Sequence, residues 1–181
     1  MPSVSHTNLG PLIAYLIPGA TVLWGLSLFS PELRSLFIST PVNAPTIGGF
    51  LYLTVASLAV GMTVTAIRWA LIDRLHAITG LPPPNLDFSR LKGQVDAFNV
   101  LVEHQYRHYQ FYSNMVVATA IAYTCYRLHL GTPWQHGLPD LAFVCLEAVF
   151  LVTSRDTLEK YYRRSAQLLG QPSTKSETKR R

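Results

Sequence analysis

Apolar residues gather in four long runs, which polar and turn-rich segments separate. The runs cover residues 9–30, 47–68, 111–126 and 138–154. Each of the first two has about 22 residues, enough for a helix to cross a hydrocarbon core of about 30 Å. This pattern predicts an all-α membrane protein with four transmembrane helices. The third and fourth runs are shorter, so a soluble bundle of unusually buried helices is the alternative on length alone.

Two polar segments are predicted to form a helical cytoplasmic layer, at residues 69–110 and 155–170. The second helix should leave the bilayer through "WALIDRLHAI" and end before the three prolines that begin at Pro82, which cannot continue a helix. A long helix should then lead into the third span. The fourth span should continue past the membrane as "RDTLEKYYRRSAQLLG", where Asp156 and Lys160 form a supporting i,i+4 pair.

The helix that leads into the third span carries a heptad-like apolar stripe. Its members fall seven apart in two series, which are Phe88, Val95, Val102 and Tyr109, and Leu91, Phe98, Gln105 and Tyr112. Such a stripe needs a partner helix. The partner is either a helix of the same chain, namely the extended second helix or the C-terminal one, or a neighbouring subunit.

The chain is predicted to form a single domain over residues 1–170, followed by a basic tail. Residues 171–181 read "QPSTKSETKRR" and have no apolar side chains to bury, so we expect disorder there. The basic residues of the tail can contact anionic lipid. Nothing else in the sequence is typical of nucleic-acid binding, and we expect no nucleic-acid partner.

The distribution of charge favours a membrane protein over a soluble bundle. Only 14% of the residues are charged, against about 25% in typical soluble domains. Thirteen of the fifteen Lys and Arg residues lie between the end of the second run and the third, or after the fourth; the other two are Arg34 and Arg127. By the positive-inside rule, this sorting places both termini in the cytoplasm. We therefore expect a multi-pass protein of the inner (plasma) membrane, in contact with lipids.

Glu147 is the leading candidate for chemistry, because a charge near the middle of a membrane helix is costly. Asp140 lies seven residues earlier, so the two acids share one face of a helix. With Asn114 of the third span they would form an intramembrane polar face, as a pore lining, a proton relay or an ion site. A structural glutamate, hydrogen-bonded to a neighbouring helix, is the alternative. Arg127 and Asp140 are expected to form an ordinary ion pair.

Two further sets of residues have predicted structural roles. Small residues every four positions on the second span would let another helix approach closely, and these are Ser57, Gly61 and Thr65. Basic and aromatic residues where the cytoplasmic helix enters the bilayer would form an interfacial anchor, and these are Arg107, Tyr109 and Tyr112.

A metal site at two histidines is a weaker possibility. His104 and His108 are four residues apart, a spacing that can place two imidazoles on one metal. Glu103 precedes the pair, whereas the H-E-x-x-H motif needs the glutamate between the histidines. A zinc site would also need a third ligand, for which His76 is the candidate. No phosphate loop, G-x-S-x-G elbow or dinucleotide motif is present, so we predict no metal and no cofactor.

Together these patterns favour a protein that works by assembly. The chain offers few polar groups for catalysis, while the small-residue face, the acid face and the cytoplasmic stripe each need a partner. We expect an oligomeric pore, a scaffold, or a membrane-effector or accessory subunit, which associates with itself or with a cytoplasmic protein. The alternative is a membrane-embedded enzyme that uses Glu147 or a metal bound by His104 and His108.

Overall fold

The protein is all-helical over the residues that the computed structural model describes, which are 9–37, 47–91, 93–131 and 137–169. These ranges contain no strand, which confirms the all-α fold class. The helices are α1 (Leu9–Ser27), α2 (Pro31–Phe37), α3 (Ile47–Ile78), α4 (Val95–Leu101), α5 (Arg107–Leu130) and α6 (Leu138–Leu168), with a 3₁₀ turn at Phe88–Leu91 and a π-helical segment at Val102–Tyr106. The predicted tail, residues 171–181, lies outside the described residues.

Helices α1, α3, α5 and α6 form a bundle, as expected. α1 packs against both α3 and α5, and α5 packs against α6. A small apolar core lies where α1, α3 and α5 meet, and its members are Val22, Val64, Ile72, Val117 and Ala118. α6 reaches α3 at one end of the bundle, where His76 contacts Ser154. We call this the basal end.

The two longest helices continue past the positions where the sequence predicts that spans end. α3 runs on beyond Arg68, and α6 runs on beyond Ser154, so both helices continue as helices where the sequence predicts it. After α3, Gly80 adopts a φ of 93°, a conformation that favours glycine, and turns the chain into the three prolines. On the extension of α6, Lys160 Nζ lies 2.5 Å from Asp156 Oδ2, as the i,i+4 spacing predicts.

The segment before α5 differs from the prediction of one regular helix that starts near Phe88. Gly93 has a φ of 87° and separates the 3₁₀ turn from α4, so the helix begins at Val95. α4 then passes through the π-helical segment into α5 without a break. A π turn bonds residue i to i+5 and so rotates every later side chain relative to an α-helix. The predicted continuous heptad stripe is therefore wrong, because it is interrupted at two places.

Among the described helices, one is long and apolar enough to cross a membrane, namely Ile47–Ile78. A shorter apolar helix covers Ile13–Ser27. α5 and α6, where the sequence predicts the third and fourth spans, are too polar for this test. α5 carries Gln110 and Asn114 in its first turns, and α6 carries Asp140 and Glu147. Four spans and a multi-pass topology are therefore not supported by this criterion.

The outer surface of the bundle is nevertheless apolar. Exposed large apolar side chains line the outer faces of three bundle helices, and they include Ile13, Ile17, Trp24, Phe50, Leu51, Val55, Met62, Leu141, Val144, Val149 and Val152. In water, an apolar surface of this extent is expected only where a partner or a membrane covers it.

Candidate functional site in the polar interior

The interior of the bundle holds many polar side chains beside its small apolar core, whereas the interior of a soluble bundle is mainly apolar. Buried polar or charged side chains come from all four bundle helices, and they are Ser27, Ser57, Arg68, His76, Gln110, Ser113, Asn114, Asp140, Ser154 and Ser165. A buried polar group is costly unless a hydrogen bond satisfies it. The partners of these side chains fall into two main groups, one around Asn114 in the middle of the bundle and one around Arg68 at the basal end.

Asn114 joins three helices in the middle of the bundle. Its Nδ2 donates to the carbonyl oxygen of Ala14 on α1 and to the hydroxyl oxygen of Thr65 on α3, both at 3.0 Å. Pro18 lies four residues after Ala14 and has no N–H, so it leaves the Ala14 carbonyl without its helical donor. The Asn114 amide supplies the missing donor. Asn114 on α5 thus replaces the hydrogen bond that Pro18 removes from α1.

α1 and α3 cross with their backbones in direct contact. A Cβ atom added to Gly19 would lie 1.8 Å from the backbone oxygen of Ser57, and one added to Gly61 would lie 2.0 Å from that of Tyr15. Only glycine fits at these two positions, and small residues fit beside them. The structure therefore places Ser57 and Gly61 of the small-residue face against α1, and it places Thr65 beside Asn114.

Arg68 is buried at the basal end, between α3 and α5. Its Nη1 lies 3.4 Å from Oδ1 of Asp73, and its guanidinium carbon lies 5.2 Å from the centre of the Tyr109 ring. The Tyr109 hydroxyl donates to the same carboxylate. The cation therefore has a carboxylate partner and an aromatic face, which together offset its desolvation. Burial raises the pKa of Tyr109, so this hydroxyl remains a hydrogen-bond donor.

The residues of the predicted interfacial anchor do not share one surface. Tyr109 is buried inside the bundle, whereas an anchor would lie at the lipid surface. Arg107 Nη1 donates to Oε1 of Gln110, its neighbour on α5, at 3.4 Å. Tyr112 lies beside Phe150 of α6, with the ring centres 6.4 Å apart. Tyr109 and Tyr112 thus join α5 to α3 and α6, respectively.

His76 connects α3 to α6 at the basal end. Its Nε2 lies 3.1 Å from Oγ of Ser154, and the Ser154 hydroxyl donates its single proton to the carbonyl of Leu151. Burial, together with the charge of Arg155, lowers the pKa of His76 below its ordinary 6.5. Arg155 adds a second link to α3, because it donates to the hydroxyl and the carbonyl of Thr79 at 2.6 and 2.8 Å.

Acid is expected to weaken this α3–α6 junction through His76, which lies beyond the end of the predicted span at residue 68. Because the folded pKa is lowered, the unfolded chain takes up the proton first as the pH falls. The stability that depends on neutral His76 is then fully present above about pH 7 and is lost as the pH falls through 6.5 towards the lower folded value. Asp73 of α3, Tyr109 of α5 and Arg155 of α6 face the imidazole.

Thermal unfolding of the wild type and of His76→Gln, from about pH 5.5 to about pH 7.5, measures this effect. The wild type should be more stable at the upper end, because glutamine lacks the ring that packs against Tyr109, with ring centres 6.1 Å apart. The difference in unfolding temperature should narrow as the pH falls. A difference that stays constant over the whole range would contradict the assignment.

The two acids of α6 have different surroundings. Asp140 Oδ1 lies 3.5 Å from Nη1 of Arg127, which confirms the predicted ion pair, and it also accepts the hydroxyl of Tyr123. Glu147 is half-buried and accepts a hydrogen bond from Thr119 of α5 at 2.6 Å. It has no cationic partner among the residues that the structure describes. Asp140, Glu147 and Asn114 therefore do not come together in one polar face.

His104 and His108 lie on the surface of the π-helical segment and the first turn of α5. Nδ1 of His104 is 3.2 Å from the carbonyl oxygen of Val100, and Nδ1 of His108 contacts the carbonyl of His104. His76, the predicted third ligand, is instead buried against Ser154. Within the described ranges, no three His, Cys, Asp or Glu side chains lie close enough together to hold a metal ion.

The sequence analysis does not predict the group of Arg68, Asp73, His76 and Tyr109, which we call the basal site. A signal was nevertheless present on α3. The buried residues of that helix continue the small-residue face with helical spacing, as Ser57, Gly61, Val64, Arg68, Ile72 and His76. Extending this spacing beyond Gly61 places Arg68 and His76 on the inner face. Their partners on α5 and α6 have no comparable signal.

Comparison with known proteins gives no match. No protein-family model, curated protein or solved structure is similar to the chain. A functional conclusion therefore depends on three structural features. They are the apolar exterior, the interior polar side chains with their interhelical hydrogen bonds, and an acid on α6 that has no cationic partner among the described residues.

Proposed function

We propose that this chain is a multi-span membrane protein that works by assembly, as a scaffold or membrane-effector subunit. The observation that carries the proposal is the inverted distribution of polarity. Asn114, Ser113 and Ser154 are buried, while Phe50 and Val55 are exposed. Lipid accommodates exposed apolar side chains, and it requires polar groups to find partners inside the bundle. The same arrangement in water would expose an extensive apolar surface around only a small apolar core.

Helix lengths support a bundle that crosses the bilayer as a unit. At about 1.5 Å per residue, the 19 residues of α1 span about 28 Å and the 24 residues of α5 span about 36 Å. α3 and α6 are longer, with 32 and 31 residues. α3, α5 and α6 exceed a hydrocarbon core of about 30 Å, and α1 is about 2 Å shorter than it. α5 and α6 are less apolar than a typical membrane helix. Some of the polar side chains responsible for this face the interior of the bundle.

The cytoplasmic layer supplies the surface for assembly. Part of the predicted stripe is satisfied within the chain, because Tyr109 packs against His76 of α3 with ring centres 6.1 Å apart. Phe88 and Val95 of the stripe, and Val100 elsewhere on α4, are instead more than half exposed. They precede the predicted third span, so lipid does not cover them, and exposed apolar residues outside the bilayer favour a protein partner.

Replacing these three side chains is expected to weaken assembly. The variant Phe88→Ser, Val95→Ser, Val100→Ser removes the apolar contact and should lower the association constant roughly tenfold or more, because apolar anchors dominate such interfaces. Light scattering of the full chain in detergent measures the oligomer mass as a function of concentration. Alkaline extraction of membranes tests the embedding separately, since an embedded chain stays with the lipid.

Asp96 provides a matched control, because it is exposed on the same short helix. Asp96→Ser should leave the oligomer mass unchanged. Crosslinking through Val100→Cys in native membranes detects a second copy or a different cytoplasmic protein. A wild-type chain that is monomeric in detergent and gives no crosslink would overturn assembly, and release by alkaline extraction would overturn membrane embedding.

A further inference from the structure

Three consecutive prolines, Pro82, Pro83 and Pro84, follow α3 in a segment that is neither helix nor strand. Proline fixes its own φ near about −65° and holds the residue before it in the extended or polyproline II region. Because Leu81, Pro82 and Pro83 each precede a proline, all three are restricted in this way. Covalent geometry therefore favours a left-handed polyproline II helix from Leu81 onwards.

The exposure of these side chains has the repeat of a polyproline II helix. Such a helix has about three residues per turn, so residues three apart share a face. Leu81 and Pro84 are partly buried, whereas Pro82, Pro83 and Asn85 are exposed. One face of the segment thus lies against the protein, and the other two faces are directed outward.

Hydrogen bonds at both ends hold the segment in place. Before the prolines, the N–H of Leu81 donates to the carbonyl of His76 at 2.9 Å. After them, Asp87 Oδ1 accepts the backbone N–H and the hydroxyl of Ser89 at 3.1 and 2.6 Å. A segment that is already held in its binding conformation loses little conformational entropy when a partner binds it.

An exposed polyproline II segment has the chemistry of a ligand for one class of protein surface. Its rings form a rigid apolar ridge, and its carbonyl oxygens make no internal hydrogen bonds, so they can accept hydrogen bonds from a partner. Grooves lined with aromatic side chains recognise this combination. A sheet edge fits less well, because prolines have no N–H to donate to it. Lipid chains offer no donor to the carbonyl oxygens.

We propose that Pro82 and Pro83 bind a cytoplasmic protein that recognises polyproline II through an aromatic-lined groove. Phe88, which is more than half exposed, follows shortly after the prolines, so one partner can contact both. The inference rests on the proposed function, which places this layer outside the bilayer, and it specifies the class of cytoplasmic partner.

The test uses the full chain in nanodiscs and three purified probes, namely an SH3, a WW and an EVH1 domain, which all recognise proline-rich segments. Fluorescence anisotropy of each labelled domain follows its binding as the chain is titrated. At least one domain should bind saturably, with one domain per chain. Pro82→Ala together with Pro83→Ala should weaken its affinity roughly tenfold or more, because the change removes the apolar anchors of the contact.

Two controls isolate the contribution of the prolines. Pro31→Ala removes an exposed proline at the start of α2 and should leave the affinity unchanged. A synthetic peptide of residues 79–87 should displace the bound domain, and the same peptide with alanine in place of Pro82 and Pro83 should not. The peptide comparison does not depend on the folding of a variant.

Placement of the segment outside the bilayer is measured separately. Asn99 is exposed on α4, and Asn99→Cys in a chain with Cys125→Ala and Cys145→Ala should react with a maleimide that does not enter lipid. Failure to react would overturn the proposed placement. If the chain reacts, absence of saturable binding by all three domains, or equal affinity of the wild type and the double proline variant, would overturn the inference.

Discussion

Gly61→Ala is expected to lower the free energy of unfolding by about 2 kcal/mol, within the range for overpacked helix contacts. The added Cβ would lie 2.0 Å from the backbone oxygen of Tyr15, so α1 must move away from α3. That movement also draws the Ala14 carbonyl away from Nδ2 of Asn114, now 3.0 Å distant. Denaturant titration of the full chain in mixed micelles, followed by circular dichroism, measures the loss.

The expected loss of stability in Gly61→Ala is opposite in sign to the expectation from helix propensity. In an unobstructed helix interior, alanine is more favourable than glycine by about 1 kcal/mol, so helix propensity alone predicts that Gly61→Ala is stabilising. Ala59→Leu adds more volume to the exposed side of the same helix and should change stability by less than about 0.5 kcal/mol. If Gly61→Ala is as stable as the wild type, the close crossing of α1 and α3 is contradicted.

Local signals account for the parts of the fold that the sequence predicts well. The continuation of α3 beyond Arg68 follows from unbroken helical spacing and from the prolines that stop it, and the continuation of α6 is supported by the Asp156–Lys160 pair. Irregular backbone geometry is harder to predict from the sequence. Neither the positive φ of Gly93 nor the π-helical segment at Val102–Tyr106 alters the apolar spacing, so a regular heptad series was predicted across both.

The candidate sites depend on which helices are neighbours, and a single sequence does not give that pairing. The sequence pattern places Asn114 with Glu147, but α5 packs against both α1 and α3, so the asparagine meets Ala14 and Thr65 instead. Arg68 was counted only as a cytoplasmic charge. Its burial follows from the approach of Tyr109 on a helix that begins about 40 residues later.

Asp73→Asn is expected to destabilise the fold by about 3 kcal/mol, the lower end of the range for breaking a buried ion pair. Asparagine keeps the shape and an oxygen that can accept the Tyr109 hydroxyl, so the change removes mainly the charge. The Arg68 side chain is 3% exposed, and its cation would remain buried without an anion. Asp73 itself is 30% exposed, and solvent screening of the pair holds the cost to the lower end.

The exposed pair of Asp156 and Lys160 is the control, with side chains that are 54% and 47% exposed. Asp156→Asn should cost no more than about 0.5 kcal/mol, because surface i,i+4 pairs contribute little. Adding Arg68→Met to Asp73→Asn should recover most of the lost stability, since the double variant no longer buries an unpaired charge. If the double variant is instead less stable than Asp73→Asn alone, the cation–ring contact with Tyr109 contributes more than the ion pair, and Arg68 is held mainly by that ring.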